Sequence, residues 1–359
     1  MAEGNTRRPP RRRTRFTRRF YIVLGCVGLL IFVLILALVI SASGGGDDFT
    51  ASIATSGLTE GDLHRLKVNE LGAIMVLEYH RIGEEGRWSR SPESFRSDLE
   101  TLYERGYRCI RLTDLAANYI AVEAGFTPVV LTFDDSDPSQ FRYIEQDGDI
   151  IIDPDCAVGI MEEFANEHPD FNMTATFYVL PQLFGQEEYV EKKLNYLVER
   201  GYDIGNHTMN HPSLAEVDDQ TVIDELTGNV KMVQEYLPGY EEKSIALPNG
   251  SEPQNSSLLL EGSSDNVEYQ FMASLLVGAN PAPAPCDPAF DAMRLPRVQA
   301  LDPSPDTGAC GNSSWLQYFM DNPERRYCSD GNPEIVTIPK HMLDRVDVER
   351  LGEKELKTY

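Results

Sequence analysis

Apolar and polar positions along the chain change pattern twice. Phe20 to Ser43 is a single uninterrupted apolar stretch. From about residue 71 onward, short apolar runs of strand length alternate with longer segments of helical period. The runs Gly72–Tyr79, Arg108–Leu112, Pro128–Phe133, Thr174–Leu180, Tyr202–Asn206 and Ser244–Leu247 predict strands. Between them, Ser91-Pro92-Glu93 is a helix start, with Ser as N-cap and Pro in the first turn. The helix it opens places Phe95, Leu99, Leu102 and Tyr103 on one face and ends near Gly106. Residues 157–167, 188–200 and 218–237 predict further helices. Residues 279–288 and 302–314 are rich in Pro and Gly and read as loops. Repeated β–α units with buried strands imply an α/β fold on a parallel sheet or barrel.

Charge divides the chain as sharply as hydropathy does. Residues 1–19 hold eight Arg and one acid, Glu3, while residues 20–43 carry no charge. Removing those from the chain's 32 bases and 57 acids leaves 24 and 56, a net of −32 for the rest. A body so acidic repels phosphate backbones, so no nucleic-acid partner is expected. Twenty-four uncharged residues suffice to cross roughly 30 Å of hydrocarbon. With the Arg cluster before them, the N-terminus is expected in the cytoplasm and the body outside. The chain is thus expected as a basic tail (1–19), a single-pass anchor (20–43), a linker or stalk (44–70), one large folded domain (71–345) and a C-terminal tail (346–359). The competing interpretation is a cleaved secretory signal ending at Ser41-Ala42-Ser43, whose apolar core would ordinarily be shorter. Of six cysteines, five fall in the external part. Cys109 reads as a buried strand residue. At least one disulfide is expected among Cys286, Cys310 and Cys328.

Polar residues gather where candidate strands end: Glu78 and His80, Asp134 and Asp135, His207 and His211, and Asn249. In a parallel barrel those ends converge on one face, where active sites are built. His207-Thr-Met-Asn-His211 has i, i+4 spacing, which on a helical turn presents two imidazoles to one ion. Two imidazoles and one carboxylate form an open divalent-metal site, and a neighbouring carboxylate supplies a general base.

At these residues the chain resembles the polysaccharide deacetylases with the NodB-homology domain. Thr132-Phe133-Asp134-Asp135 resembles the family's TFDD motif, and His207-Thr208-Met209-Asn210-His211 its H-[S/T]-x-x-H motif. Asp203-Ile204-Gly205-Asn206 before the second motif and the strand Thr174–Val179 are also similar to the family's. The resemblance, over about residues 71–345, implies a distorted (β/α)7 barrel. It implies Asp134 as catalytic base and Asp135, His207 and His211 as metal ligands. Zinc suits such a set, with cobalt, nickel and iron as open alternatives.

Three departures accompany the resemblance. The third motif, usually R-x-P-[FY]-G, is here Ala246-Leu247-Pro248-Asn249-Gly250, without the Arg that orients the base. Arg297 is the candidate replacement. Ser136 stands where Gly is commoner. The C-terminal strand Ile335–Ile338 lacks the His of the last motif, L-x-x-H, which is the general acid. Leu77-Glu78-Tyr79-His80 fits that motif at the first strand, as in members that resemble circular permutants, and assigns the acid to His80, with His341 as fallback. His64 and His168 are expected in solvent. Asn172-Met173-Thr174 fits a glycosylation sequon but opens a core strand. The expected function is metal-dependent removal of N-acetyl groups from a cell-wall or extracellular amino-sugar polymer. The alternatives are an inactive barrel that binds glycan, motivated by the altered third motif, and a metal hydrolase acting on another acyl group.

Overall fold

The computed structural model describes residues 57–302 and 311–359. The expected membrane span at 20–43, the linker as far as residue 56 and Cys310 lie outside them. Among the described residues no helix is long and apolar enough to cross a membrane.

Eight parallel strands form one sheet: β1 (Met75–Tyr79), β2 (Tyr107–Cys109), β3 (Thr127–Phe133), β4 (Thr176–Val179), β5 (Asp203–Asn206), β6 (Ser244–Ala246), β7 (Ala273–Leu275) and β8 (Val298–Gln299). Seven follow the order β7-β6-β5-β4-β3-β1-β8, and β2 pairs with the entry half of β3. Leu275 and Leu295 form a parallel bridge that links the two ends of that path, so the sheet curls round on itself. Helices α1 (Glu60–Leu66), α2 (Pro92–Glu104), α3 (Leu112–Ala116), α4 (Ala157–Glu167), α5 (Val190–Glu199), α6 (Asp219–Tyr236) and α7 (Asn312–Asp321) surround it. Covered on both faces, the strands are buried almost throughout, and every residue of β3 is buried.

Strand alternation separates two cores. Leu77 and Tyr79 of β1, with Val129, Leu131 and Phe133 of β3, pack outward among residues of α2, α4 and α5. Val76, Val130, Tyr178, Ala246, Leu275 and Leu295 fill the interior. Continued by two residues per step, the inward columns read Val76-Glu78-His80 and Val130-Thr132-Asp134. The same period that buries Val130 therefore aims Asp134 into the mouth of the curled sheet.

Several expected elements differ in extent. The strand expected over 108–112 ends at Cys109, because β3 offers it no partner beyond Val129, and Leu112 already begins α3. Within residues 137–156, Tyr143–Gln146 and Asp149–Ile152 pair as an antiparallel hairpin. Its turn is Asp147-Gly148, both with positive φ, as a two-residue hairpin turn requires. Residues 346–359 do not form a free tail. Glu355–Thr358 pairs in parallel with Ile335–Ile338, and the Tyr359 hydroxyl donates to the Val68 carbonyl at 2.7 Å. The described end of the expected stalk is also packed: Leu63 of α1 is buried with Val68 and Tyr359. Cys286 and Cys328 are buried free thiols, so the expected disulfide does not join them.

Candidate active site

The exit ends of β1, β3, β5 and β6 surround a cleft of about 800 Å³. Phe133 is in register with Tyr79, and the Asp134 N–H donates to the Tyr79 carbonyl at 2.9 Å, so His80 and Asp134 leave adjacent strands side by side. The Gln140 side-chain amide donates to the carbonyls of both residues and ties the two exits together.

Asp134 is buried, and Arg297 meets it with a two-pronged contact. Nη1 donates to Oδ1 at 2.7 Å and Nη2 to Oδ2 at 2.6 Å. The guanidinium is fixed in turn by Nε donating to the Leu276 carbonyl at 2.9 Å and Nη1 to the Thr132 hydroxyl at 3.2 Å. Burial pushes the Asp134 carboxyl up, but the adjoining Arg297 charge outweighs it and holds the group well below the usual carboxylate range. Arg297, wholly buried just before β8, thus holds Asp134 in a chain whose third motif carries no arginine.

Glu78 lies one inward step below His80 and, like Asp134, is buried. Its Oε1 is 3.5 Å from Arg297 Nη2 and 3.7 Å from His80 Nε2, with no hydrogen-bond partner, while Oε2 accepts from the Gly278 N–H at 3.3 Å. Burial raises the Glu78 carboxyl, against the opposing charge of Arg297. A side chain at position 278 would collide with the Arg297 backbone, which explains glycine there. The His80 ring rests against Trp88, centroids 4.8 Å apart.

Asp135, His207 and His211 bring their ligand atoms within 4.8 Å of one another. His207 Nε2 is 3.4 Å and His211 Nε2 3.8 Å from Asp135 Oδ1. His207 Nδ1 contacts the Ala246 carbonyl at 2.7 Å, which sets the proton on Nδ1 and turns the Nε2 lone pair toward Asp135. This donor set fits a divalent ion: two imidazoles and a carboxylate, one ring already in the ligating tautomer. Burial lowers the affinity of His207 for a proton, but Asp134 and Asp135 reverse this and raise its pKa; His211, half buried beside His207, is lowered.

The two histidines do not sit on a helical turn, as their spacing suggested. Thr208 and His211 have positive φ, and the segment is a loop after β5. Residues not singled out from the sequence hold it. Glu225 on α6 accepts from the Met209 and Asn210 N–H groups at 2.9 and 2.7 Å. Asn229 on the same helix donates to the Thr208 carbonyl at 2.7 Å, and Asn206 accepts from the Thr208 N–H at 2.9 Å. Their one-turn spacing on α6 is a sequence signal, but of a helix face and not of its target. Asn249, also at positive φ, lines the cleft. His341 lies elsewhere, in a separate cavity with Asn69, Leu71, Gly72 and Ala73 at the entry end of β1, so the fallback acid is remote from Asp134. His64 is exposed against Tyr359, whereas His168, expected in solvent, packs on Tyr103 and Phe164. The Thr174 hydroxyl donates to the Gly201 carbonyl at 3.0 Å, a structural use of that residue.

Residues 122–263 match the family described as polysaccharide deacetylase. The chain carries a polysaccharide deacetylase domain. That makes it a hydrolase of the deacetylase type, and the matched stretch contains Asp134, Asp135, His207 and His211. His80 and Arg297 reach the deacetylase cleft from outside that stretch. Among solved structures, the deacetylase PplD of Streptococcus pyogenes, in complex with acetate, is 18% identical, over 68% of this chain and 97% of that one, with a TM-score of 0.47. IcaB from Ammonifex degensii is 17% identical, over 69% and 97%, with a TM-score of 0.45. At those scores the superpositions add nothing to the strand order as grounds for the fold. No curated protein matches the chain in sequence.

Proposed function

We propose that this deacetylase domain hydrolyses N-acetyl groups on an amino-sugar polymer of N-acetylglucosamine type, in the cell wall or an exopolysaccharide, and that it does so with a divalent metal ion, zinc by preference. The observation that carries the proposal is the carboxylate pair at the exit of β3: Asp134 clamped by buried Arg297, and Asp135 turned to His207 and His211. A divalent ion held by Asp135, His207 and His211 would supply Lewis acidity at the acetyl carbonyl and lower the pKa of water there. Asp134, held ionised by Arg297, accepts a proton as water adds to the amide carbon. His80 delivers a proton to the amine as the carbon–nitrogen bond breaks, releasing acetate and a free amino sugar. The missing arginine of the third motif motivated an inactive, glycan-binding barrel; Arg297 beside Asp134 answers that motive. We place the domain outside the cytoplasmic membrane on a single N-terminal anchor, supported by the charge-free stretch 20–43 behind its Arg cluster.

The test is acetate release by a soluble form beginning near Thr50, on N-acetylglucosamine oligomers and on peptidoglycan, with and without chelator. Metal-dependent acetate is expected. It should fall by about 10²- to 10⁴-fold in Asp134→Asn and in His80→Ala, the usual contribution of a general base or acid. A protein that binds one metal ion and glycan but releases no acetate would overturn the proposal.

A further inference from the structure

The rim of the deacetylase cleft contrasts with the body around it. In a molecule whose net charge is −25, the segment that leaves β1 past His80 puts two arginines, Arg81 and Arg87, on the cleft wall. Both are exposed, and among the described residues neither side chain has a carboxylate partner. The cleft's own acids are otherwise engaged. Asp134 is bound by Arg297, Asp135 faces the two histidines, Glu78 is buried between Arg297 and His80, and Asp137 accepts from Ser139.

This rim is built, not loose. Arg81–Ile82 pairs with Ser89–Arg90, and the Arg81 N–H donates to the Trp88 carbonyl at 3.2 Å. Arg90, nearly fully buried, ties the segment down. Its Nε and Nη2 donate to Asp98 of α2 at 3.0 and 2.8 Å, and its Nη1 to Glu85 within the segment at 2.9 Å. The Arg87 guanidinium lies 5.1 Å from the Trp88 ring centroid, and Trp88 rests on His80. A guanidinium held over an indole keeps its charge and its planar fork while losing little freedom on binding. The two unpaired forks therefore stand beside the group assigned to meet the leaving amine.

We propose that Arg81 and Arg87 form a clamp for a carboxylate on the glycan, so that the preferred substrate carries an acidic unit at or next to the N-acetylated sugar. The carboxylate belongs to a uronic acid or to a lactyl ether; both present the same planar anion to a guanidinium fork. This specificity rests on the deacetylase assignment of the cleft, but the binding it predicts does not require turnover.

The experiment compares neutral N-acetylglucosamine oligomers with alternating glucuronate–N-acetylglucosamine oligomers and with oligomers bearing free lactyl carboxylates. Acetate release is measured on the metal-loaded protein, and binding by calorimetry on metal-stripped protein, where nothing turns over. Wild type is expected to favour one carboxylated series, and which one identifies the source of the anion. In Arg81→Ala and Arg87→Ala the ratio of kcat/KM, acidic over neutral, should fall about tenfold through KM, and the binding preference should shrink as salt rises. A wild-type protein that prefers neither series, or a ratio unmoved in both variants, overturns the clamp. A binding preference that disappears in the variants, with no acetate from any series, would uphold the clamp and sink the deacetylase assignment instead.

Discussion

At the scale of single residues, Asp134 and Arg297 are the pair on which the proposed chemistry turns. Two charges buried this deeply are tolerated because each satisfies the other and Arg297 also reaches two neutral acceptors. The planar fork matters as much as the charge. Arg297→Lys keeps the cation but loses one of two charge-assisted hydrogen bonds, each of about 1.5–3 kcal/mol. The expected result is a kcat lower by roughly 10- to 100-fold with KM little changed. Unchanged kcat would mean that Arg297 does not position Asp134. Asp134, Asp135, His207 and His211 could be picked out in the sequence because each pair is local. Arg297, 163 residues from Asp134, could be named only as a candidate, since no spacing rule links positions joined by barrel closure.

At the scale of elements, the loop after β5 is the instructive case. The i, i+4 histidines suggested a helical turn, but His207 continues the inward parity of β5 and the chain then reverses through left-handed Thr208 and His211. Such a turn leaves backbone N–H groups pointing away from any ladder, and α6 supplies their acceptor in Glu225. Glu225→Ala should therefore weaken metal binding by about 10- to 100-fold, the range seen when a partner that orients ligands is lost. Competition with a chromophoric chelator measures this, with circular dichroism to show that α6 is intact. Undiminished affinity would mean that the loop holds its own shape. The helices themselves were legible because caps and periodicity are local: α4 occupies 157–167 as expected, and Ser91 caps α2 through the Ser94 N–H.

At the scale of the whole molecule, buried carboxylates make stability depend on pH in a definite direction. Glu242 is fully buried, and burial pushes its carboxyl up from 4.5 to about 8, against one hydrogen bond from Asn206. A raised pKa means that the folded state holds the proton more tightly than the unfolded chain. The stabilisation is complete below about pH 4.5 and disappears as pH rises through about 8. Glu242→Gln keeps an oxygen to accept from Asn206 and never ionises. Its Tm should exceed that of the wild type by more at pH 9 than at pH 6. Equal differences at both values would show that Glu242 is not the group responsible.

The sequence by itself determined the alternation of buried strands and amphipathic helices, the two carboxylates after Phe133 and the two histidines after Asn206. All of these depend on spacings of a few residues, and short-range periodicity is enough to reveal them. It also carried the charge contrast between an Arg-rich start and an acidic body. Tertiary structure alone decided which distant side chains meet. The bridge of Leu275 to Leu295 curls the sheet and brings Arg297 under Asp134, and α6 folds back to lend Glu225 to the loop after β5. It likewise made Glu355–Thr358 a strand rather than part of a tail, because a short polar segment pairs only where another edge is offered to it. Those contacts depend on the closure of the whole sheet, and closure is not written in any local pattern.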